Sequence, residues 1–298
     1  MNGEKSIEHN NTSYIKKIAL GTVQFGLNYG INNTSGQIET AEARKILSYA
    51  ESNGIATLDT AHAYGDSEKV LGSLLQKNQF HIISKLPHCE IDAVEALFQE
   101  TLERLQTNSL YGYLYHHFKT FQENRLTFEK MLSFKEKNFV RKIGFSLYHP
   151  YEVDLLIDNN IPFDLVQIPY SIFDQRFNTK LSLLKEKNVE IHVRSLFLQG
   201  LMFKKSEELS PFFESAAPHI KKLHSISIEH HISIASLCIN FGLMNNSIDK
   251  IVIGVDSLEN LQENVRITEE VKKVESLKNE LSSLAVTDEN ILLPYNWK

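Results

Sequence analysis

The chain has 298 residues, 42% of them hydrophobic, and its 31 Lys plus Arg against 37 Asp plus Glu give a net charge of -6. That length can bury a large core, as two domains or as one alternating α/β barrel of roughly 250 residues. With an acidic balance and no basic run long enough to follow a phosphate backbone, nucleic acid is not an expected partner.

In chain order, residues 1–14 are polar and read as a flexible N-terminus without the apolar core of a signal peptide. Strand-like runs follow at 17–23 (KIALGTV), 56–60 (ATLDT), 80–86 (FHIISKL), 110–116 (LYGYLYH), 141–146 (RKIGFS), 163–169 (FDLVQIP), 190–196 (EIHVRSL) and 250–255 (KIVIGV). Amphipathic stretches alternate with them. In the one at 40–54, Ala43, Ile46, Leu47 and Ala50 recur at helical spacing and Gly54 suits the position just past a helix end. The longest gap, between the seventh and eighth runs, holds two helical stretches near 214–230 and 232–245, and residues 271–298 read as a C-terminal helix and tail.

No run approaches the ~18 consecutive apolar residues of a membrane span. The two cysteines, Cys89 and Cys238, have neither disulfide nor zinc spacing, and a reduced, cytoplasmic protein with no membrane partner is expected. Eight strands alternating with helices over residues 1–298 predict a single-domain (β/α)₈ TIM barrel. No GxGxxG follows the first strand, which argues against a Rossmann nucleotide site.

In such a barrel the active site is built at the C-terminal ends of the strands. Those ends carry Asp59 and then Tyr64, Lys85, His116 with His117, Ser146, Gln167, and Arg194 with Ser195. An Asp at a strand end is more often a turn former, and a Lys or Tyr at a rim is usually solvated. Lys85 differs, because the apolar run ISKLP makes an unpaired charge costly there, and Asp59 is the available anion. A lysine within ~4 to 6 Å of the Tyr64 phenol is expected to lower its pKa by roughly 1 to 3 units from ~10. His116 can then hydrogen-bond a substrate oxygen. Alternation puts His116 inward with Gly112 and Leu114, and sends Tyr111, Tyr113, Tyr115 and His117 outward, with His117 capping or packing. Asp59, Tyr64, Lys85 and His116 together suit proton transfer to or from a carbonyl oxygen, and hydride must come from a nicotinamide or an equivalent cofactor. The histidines lack partners at ligand spacing, so no metal site is expected.

With these residues in view, the chain closely resembles the aldo-keto reductase superfamily from about Ile18 to about Glu270. LDTAHAYGDSEKVLG (58–72) is similar to that family's Asp, Tyr and "G.SE..LG" signature, while ISKLP and LYHHF supply its lysine and histidine as Lys85 and His116. The resemblance implies an NAD(P)H-dependent oxidoreductase acting on a small-molecule aldehyde, ketone or sugar-derived carbonyl. It also implies cofactor contacts from Gly21 and Thr22 near the nicotinamide, from Ser146 and Gln167 at the carboxamide, and from Ser195, Leu196, Gln199 and Gly200 along the pyrophosphate. Gly254, Val255, Asp256, Asn260, Glu263 and Asn264 fall on the adenine side.

Three departures stand out. Leu147 replaces the Asn that normally joins Ser146 at the carboxamide. Arg194 stands where an aromatic usually stacks on the nicotinamide, and a guanidinium also stacks on flat faces. The basic groups that often hold the 2′-phosphate are replaced by Gly254, Val255 and Asn260. NADP is the expected cofactor and NAD the alternative. Two other functions stay open: a Schiff-base lyase using Lys85, and a cofactor-binding redox sensor without turnover. Tyr295 and Trp297 in the tail either close over a ligand or pack on the barrel wall.

Overall fold

The computed structural model describes residues 14–31, 33, 36–76 and 79–297. The segment expected to be a flexible N-terminus lies outside these residues except for Tyr14, which packs against the core. Eight parallel strands, β1 (Ile18–Gly21), β2 (Thr57–Asp59), β3 (His81–Leu86), β4 (Leu110–Tyr115), β5 (Val140–Ser146), β6 (Leu165–Pro169), β7 (Glu190–Arg194) and β8 (Lys250–Gly254), close into a barrel in sequence order. β8 returns to β1 with Gly254 opposite Gly21. Each strand-like run of the sequence thus corresponds to one strand, the fifth beginning one residue earlier, at Val140. The seventh run stops short at Arg194, because Ser195 takes a left-handed φ of 66° that no strand accommodates.

Helices alternate with the strands as the apolar spacing requires: α1 (Thr40–Ser52), α2 (Ser67–Leu74), α3 (Val94–Leu105), α4 (Leu126–Glu136), α5 (Pro150–Asp158), α6 (Asn178–Glu186), α7 (Ala217–His230), α8 (Ile234–Leu243) and α9 (Leu258–Arg266). The four apolar residues that defined the α1 stripe are its buried ones, and Gly54 ends the helix at φ 78°. The C-terminal region is broken into short pieces, Val271–Glu275, Lys278–Ser282 and Glu289–Leu292, in place of one helix.

Most of the hydrophobic core lies between sheet and helices; among the described residues Ile83, Leu114 and Leu165 form a separate small apolar plug inside the barrel. The rest of the interior is polar at both ends. At the N-terminal end, Glu190 accepts hydrogen bonds from Tyr111 Oη (2.7 Å) and Lys142, and pairs with His192 Nε2 (2.6 Å). Burial alone would raise the Glu190 pKa, but the bonds from His192, Lys142 and Tyr111 outweigh it and hold the carboxyl below its ordinary value. Tyr111 corrects the outward assignment of the three tyrosines. Tyr113 and Tyr115 sit in the sheet–helix layer as expected, whereas Tyr111, at the very start of β4, turns to Glu190 and stacks on His81 at 4.5 Å. No helix among the described residues is long and apolar enough to cross a membrane.

Candidate active site

The C-terminal ends of the strands enclose a cavity of about 420 Å³. Asp59, Tyr64 and His116 line it, with Gly21, Thr22, Ser146, Gln167, Arg194, Ser195, Leu196, Gln199, Gly200, Gly254 and Asp256. Lys85 lies directly beneath, 1% exposed. Val255 is buried, Asn264 is 7% exposed, and Asn260 and Glu263 project from the exposed side of α9; none of these four reaches the cavity wall.

The strand register aligns Asp59 with Ile83, so Asp59 and Lys85 emerge inward on neighbouring strands. Lys85 Nζ donates to Asp59 Oδ1 (2.7 Å), to the Thr60 carbonyl (2.9 Å) and to Tyr64 Oη (3.4 Å). All three ammonium hydrogens are thereby used. The second Asp59 oxygen accepts from Gln167 Nε2 at 2.7 Å, so the Gln167 amide braces the acid while lining the cavity.

Burial lowers the Lys85 pKa and Asp59 opposes that shift. Burial, followed by the Asp59 charge, pushes the Tyr64 phenol above its ordinary value. This is the reverse of the shift expected from a neighbouring lysine, because desolvation of the phenolate and the nearby carboxylate outweigh the ammonium. Tyr64 therefore rests as a protonated phenol. Since Lys85 donates to the phenol oxygen, the phenol hydrogen is left for another acceptor.

His116 stands edge-on to Tyr64, with ring centroids 5.7 Å apart, and burial, then Lys85, pushes its pKa down to about 2. It is a neutral imidazole at working pH, and its Nδ1 is buried without a partner. His117 heads the short helix Phe118–Glu123 but makes no side-chain cap bond; it stacks on His116 at 4.8 Å.

The loop carrying Tyr64 is locked by the residues that made its motif. Ser67 Oγ donates to the Thr22 carbonyl (2.8 Å) and joins Thr22 Oγ1 and Thr60 Oγ1, tying the β1 and β2 ends together. Glu68, fully buried, accepts from Ser84 Oγ at 2.6 Å. A Cβ on Gly26 would fall 1.9 Å from the Tyr64 carbonyl oxygen, and Gly65 (φ 58°) sits against the Gly26 backbone. A Cβ on Gly72 would meet the Arg104 carbonyl at 2.1 Å, which is how α2 packs onto α3.

Sequence reasoning missed Tyr29, Gln24 and Tyr148, all of which line the cavity. Tyr148 was findable, since it follows Ser146 by two residues and so shares its inward side. The Arg194 guanidinium stacks over the Tyr148 ring at 4.2 Å and donates to the Leu147 carbonyl at 3.2 Å. The buried Leu147 side chain contributes nothing polar; its carbonyl ties the β5 and β7 ends together. The loop after β7 holds Leu198, Gln199 and Gly200 at positive φ, and the Gln199 carbonyl and amide clasp Ile31 N (3.1 Å) and Tyr29 Oη (3.0 Å) across the cavity mouth. In the tail, Trp297 packs edge-on to Phe213 (5.0 Å), while Tyr295 stands edge-on to Tyr148 (5.2 Å) at the rim.

A sequence profile described as the Aldo/keto reductase family matches residues 17–282. Among curated proteins, the chain is 25% identical to an uncharacterized oxidoreductase, YqkF, of Bacillus subtilis over 88% of this chain and 96% of that one. It is 22% identical to an L-galactose dehydrogenase of Arabidopsis thaliana over 86% and 87%. Among solved structures, the aldo-keto reductase AKR11C1 from Bacillus halodurans shares the fold with a TM-score of 0.71 at 19% identity, covering 92% of this chain and 95% of that one.

Proposed function

Because the chain belongs to the aldo/keto reductase family, an oxidoreductase family, we propose that it reduces an aldehyde, ketone or sugar-derived carbonyl with a reduced nicotinamide dinucleotide and with Tyr64 as proton donor. The observation that carries this reading is the Tyr64 phenol held protonated beside a fully bonded ammonium, its own hydrogen unclaimed.

A reduced nicotinamide dinucleotide bound in the cavity supplies hydride to the carbonyl carbon. The cavity fits such a group: Gln24 Oε1, His116 Nδ1 and Asp256 Oδ1 are buried there without partners and need a ligand's polar atoms. Gly21, Thr22, Ser146, Gln167 and Arg194 are positioned for the nicotinamide end, and Ser195, Leu196, Gln199 and Gly200 for the pyrophosphate. Gly254 and Asp256 face the adenosine side, backed by Val255, Asn260, Glu263 and Asn264.

Neutral His116 hydrogen-bonds the carbonyl oxygen and orients it toward Tyr64. Tyr64 gives its proton to that oxygen as negative charge develops, leaving a phenolate that the Lys85 ammonium stabilises until solvent reprotonates it. Asp59 and Lys85 act through Tyr64 as positioning residues. The relative named as an L-galactose dehydrogenase supports a polyhydroxylated substrate, for which the polar walls around His116 and Tyr148 are suited. A Schiff-base role for Lys85 is disfavoured by its three hydrogen bonds, which hold the nitrogen as a protonated, non-nucleophilic ammonium.

Tyr64→Phe tests the assignment. It is expected to bind the dinucleotide as the native protein does while turnover falls by about 10²-fold or more. Undiminished turnover removes Tyr64 as the acid.

A further inference from the structure

At the β8 end of the cavity two acceptors are left over. Gln24 is 8% exposed and its Oε1 is buried without a hydrogen-bond partner. Asp256 lines the same cavity, and its Oδ1 is likewise buried and unpartnered. Burial pushes the Asp256 carboxyl above its ordinary value. Both acceptors call for a ligand that brings hydroxyls or N–H groups; the neutral Gln24 amide also carries donors, so it is the Asp256 carboxylate that opposes further lone pairs and negative charge.

The next turn is equally unsuited to an anion. α9 begins here, and a free helix N-terminus would attract phosphate. Two of its first-turn amides are already taken: Leu258 N donates to Glu42 Oε1 (2.9 Å) and Asn260 N to Ser257 Oγ (3.2 Å). Residues 255–264, VDSLENLQEN, contain Asp256, Glu259 and Glu263 and no Lys or Arg. Of the two cations on α1, Arg44 and Lys45, Lys45 is already paired with Glu42 at 2.9 Å. Arg194, the one arginine lining the cavity, is stacked on Tyr148 and bonded to the Leu147 carbonyl at the Tyr64 end.

We propose that this end of the cavity binds a ribose diol and rejects a ribose 2′-phosphate, so that the enzyme takes NADH in preference to NADPH, with Asp256 and Glu42 as the discriminating residues. The inference rests on the dinucleotide site proposed above, and it replaces the NADP expected from the resemblance. A 2′-phosphate carries about -1.5 to -2 charge at neutral pH. It would stand against the Asp256 carboxylate, would find no guanidinium or ammonium within residues 255–264 to pair with, and would have to displace Glu42 to reach the Leu258 amide. A ribose hydroxyl donates to the same carboxylate without penalty.

Calorimetric titration of the full chain with NADH and with NADPH at low salt tests this without any turnover. NADH is expected to bind at least about tenfold more tightly, equivalent to about 1.4 kcal/mol. Asp256→Ser and, independently, Glu42→Gln, which keeps an acceptor for Leu258 N, are each expected to narrow that ratio at least about threefold by tightening NADPH. In the native protein the ratio is expected to shrink as salt screens the repulsion. NADPH binding as tightly as NADH, or a ratio that neither variant moves, overturns the inference and leaves the reductase reading intact. Binding of neither nucleotide overturns both.

Discussion

Asp59→Asn is the most informative single change in the molecule. It keeps the shape of the side chain and a hydrogen-bonding oxygen for Lys85 or Gln167, but removes the counter-charge of an ammonium that is 1% exposed. The folded protein must then either hold that charge unpaired or release its proton. Releasing it at pH 7 from a group whose unfolded pKa is ~10.4 costs about 4.6 kcal/mol, which caps the electrostatic loss and agrees with the ~3 to 5 kcal/mol typical of a broken buried pair.

The cap depends on pH with a definite sign. Burial already holds the folded Lys85 pKa below its unfolded value, so the unfolded chain binds more protons and stability at this site rises with pH. Losing Asp59 depresses the folded pKa further, so the deficit is largest at neutral pH. At pH 9 the cap is only about 1.9 kcal/mol. Urea denaturation followed by circular dichroism should therefore show Asp59→Asn losing about 3 to 5 kcal/mol at pH 7 and distinctly less at pH 9. The double variant D59N/K85M, which leaves no unpaired charge, should recover most of the stability and none of the turnover. A loss below about 1 kcal/mol at pH 7, or one that does not change with pH, refutes the description of Lys85 as a buried cation held by Asp59.

Further outcomes follow from the neighbouring groups. Carbonyl reduction should show no histidine-like step between pH 5 and 8, because burial pushes His116 far below its ordinary range and Tyr64 above its own; a steady-state profile with such a step in that window contradicts this. The same depressed His116 value means that the unfolded chain gains a proton that the native site refuses as pH falls below ~6.5. Stability should then drop on the order of 1 kcal/mol per pH unit, and His116→Gln should flatten that slope in denaturation curves collected at pH 5 and 6. Gly26→Ala places a methyl 1.9 Å from the Tyr64 carbonyl; it should cost about 1 to 3 kcal/mol and most of the turnover, read by thermal melting and by assay.

What the sequence conveyed was set by period and by charge. Eight runs of strand character with helices between them define a closed parallel barrel, and alternation along each run tells which side chains face inward, as for Asp59, Lys85, His116 and Ser146. Lys85 was legible because an ammonium in an apolar strand demands an anion, and only one nearby strand end offered it. Tyr111 defied the same alternation because it is the second residue of β4, at the open N-terminal end of the barrel where Glu190 and His81 lie within reach. The sign of the Tyr64 shift was hidden, since it depends on how deeply the loop held by Gly26, Gly65 and Ser67 buries the phenol. Tyr29 and Gln24 come from segments with no period to read, and the bond by which Gln167 braces Asp59 could not be seen from the sequence. The tail divides its two aromatics, with Trp297 in the wall and Tyr295 at the rim.

The central claim is that Tyr64 donates a proton to a carbonyl oxygen as hydride arrives at the carbon. Single-turnover mixing of the native protein, preloaded with reduced nicotinamide dinucleotide, with a panel of aldehydes and keto-sugars in H₂O and in D₂O tests it most directly. The account predicts rapid loss of the reduced-cofactor signal with at least one carbonyl, a rate that slows in D₂O, and a rate at least about 10²-fold lower in Tyr64→Phe despite equal loading. A loaded native protein that oxidises its cofactor with none of the carbonyls, or a Tyr64→Phe variant that reacts as fast as the native one, would contradict it.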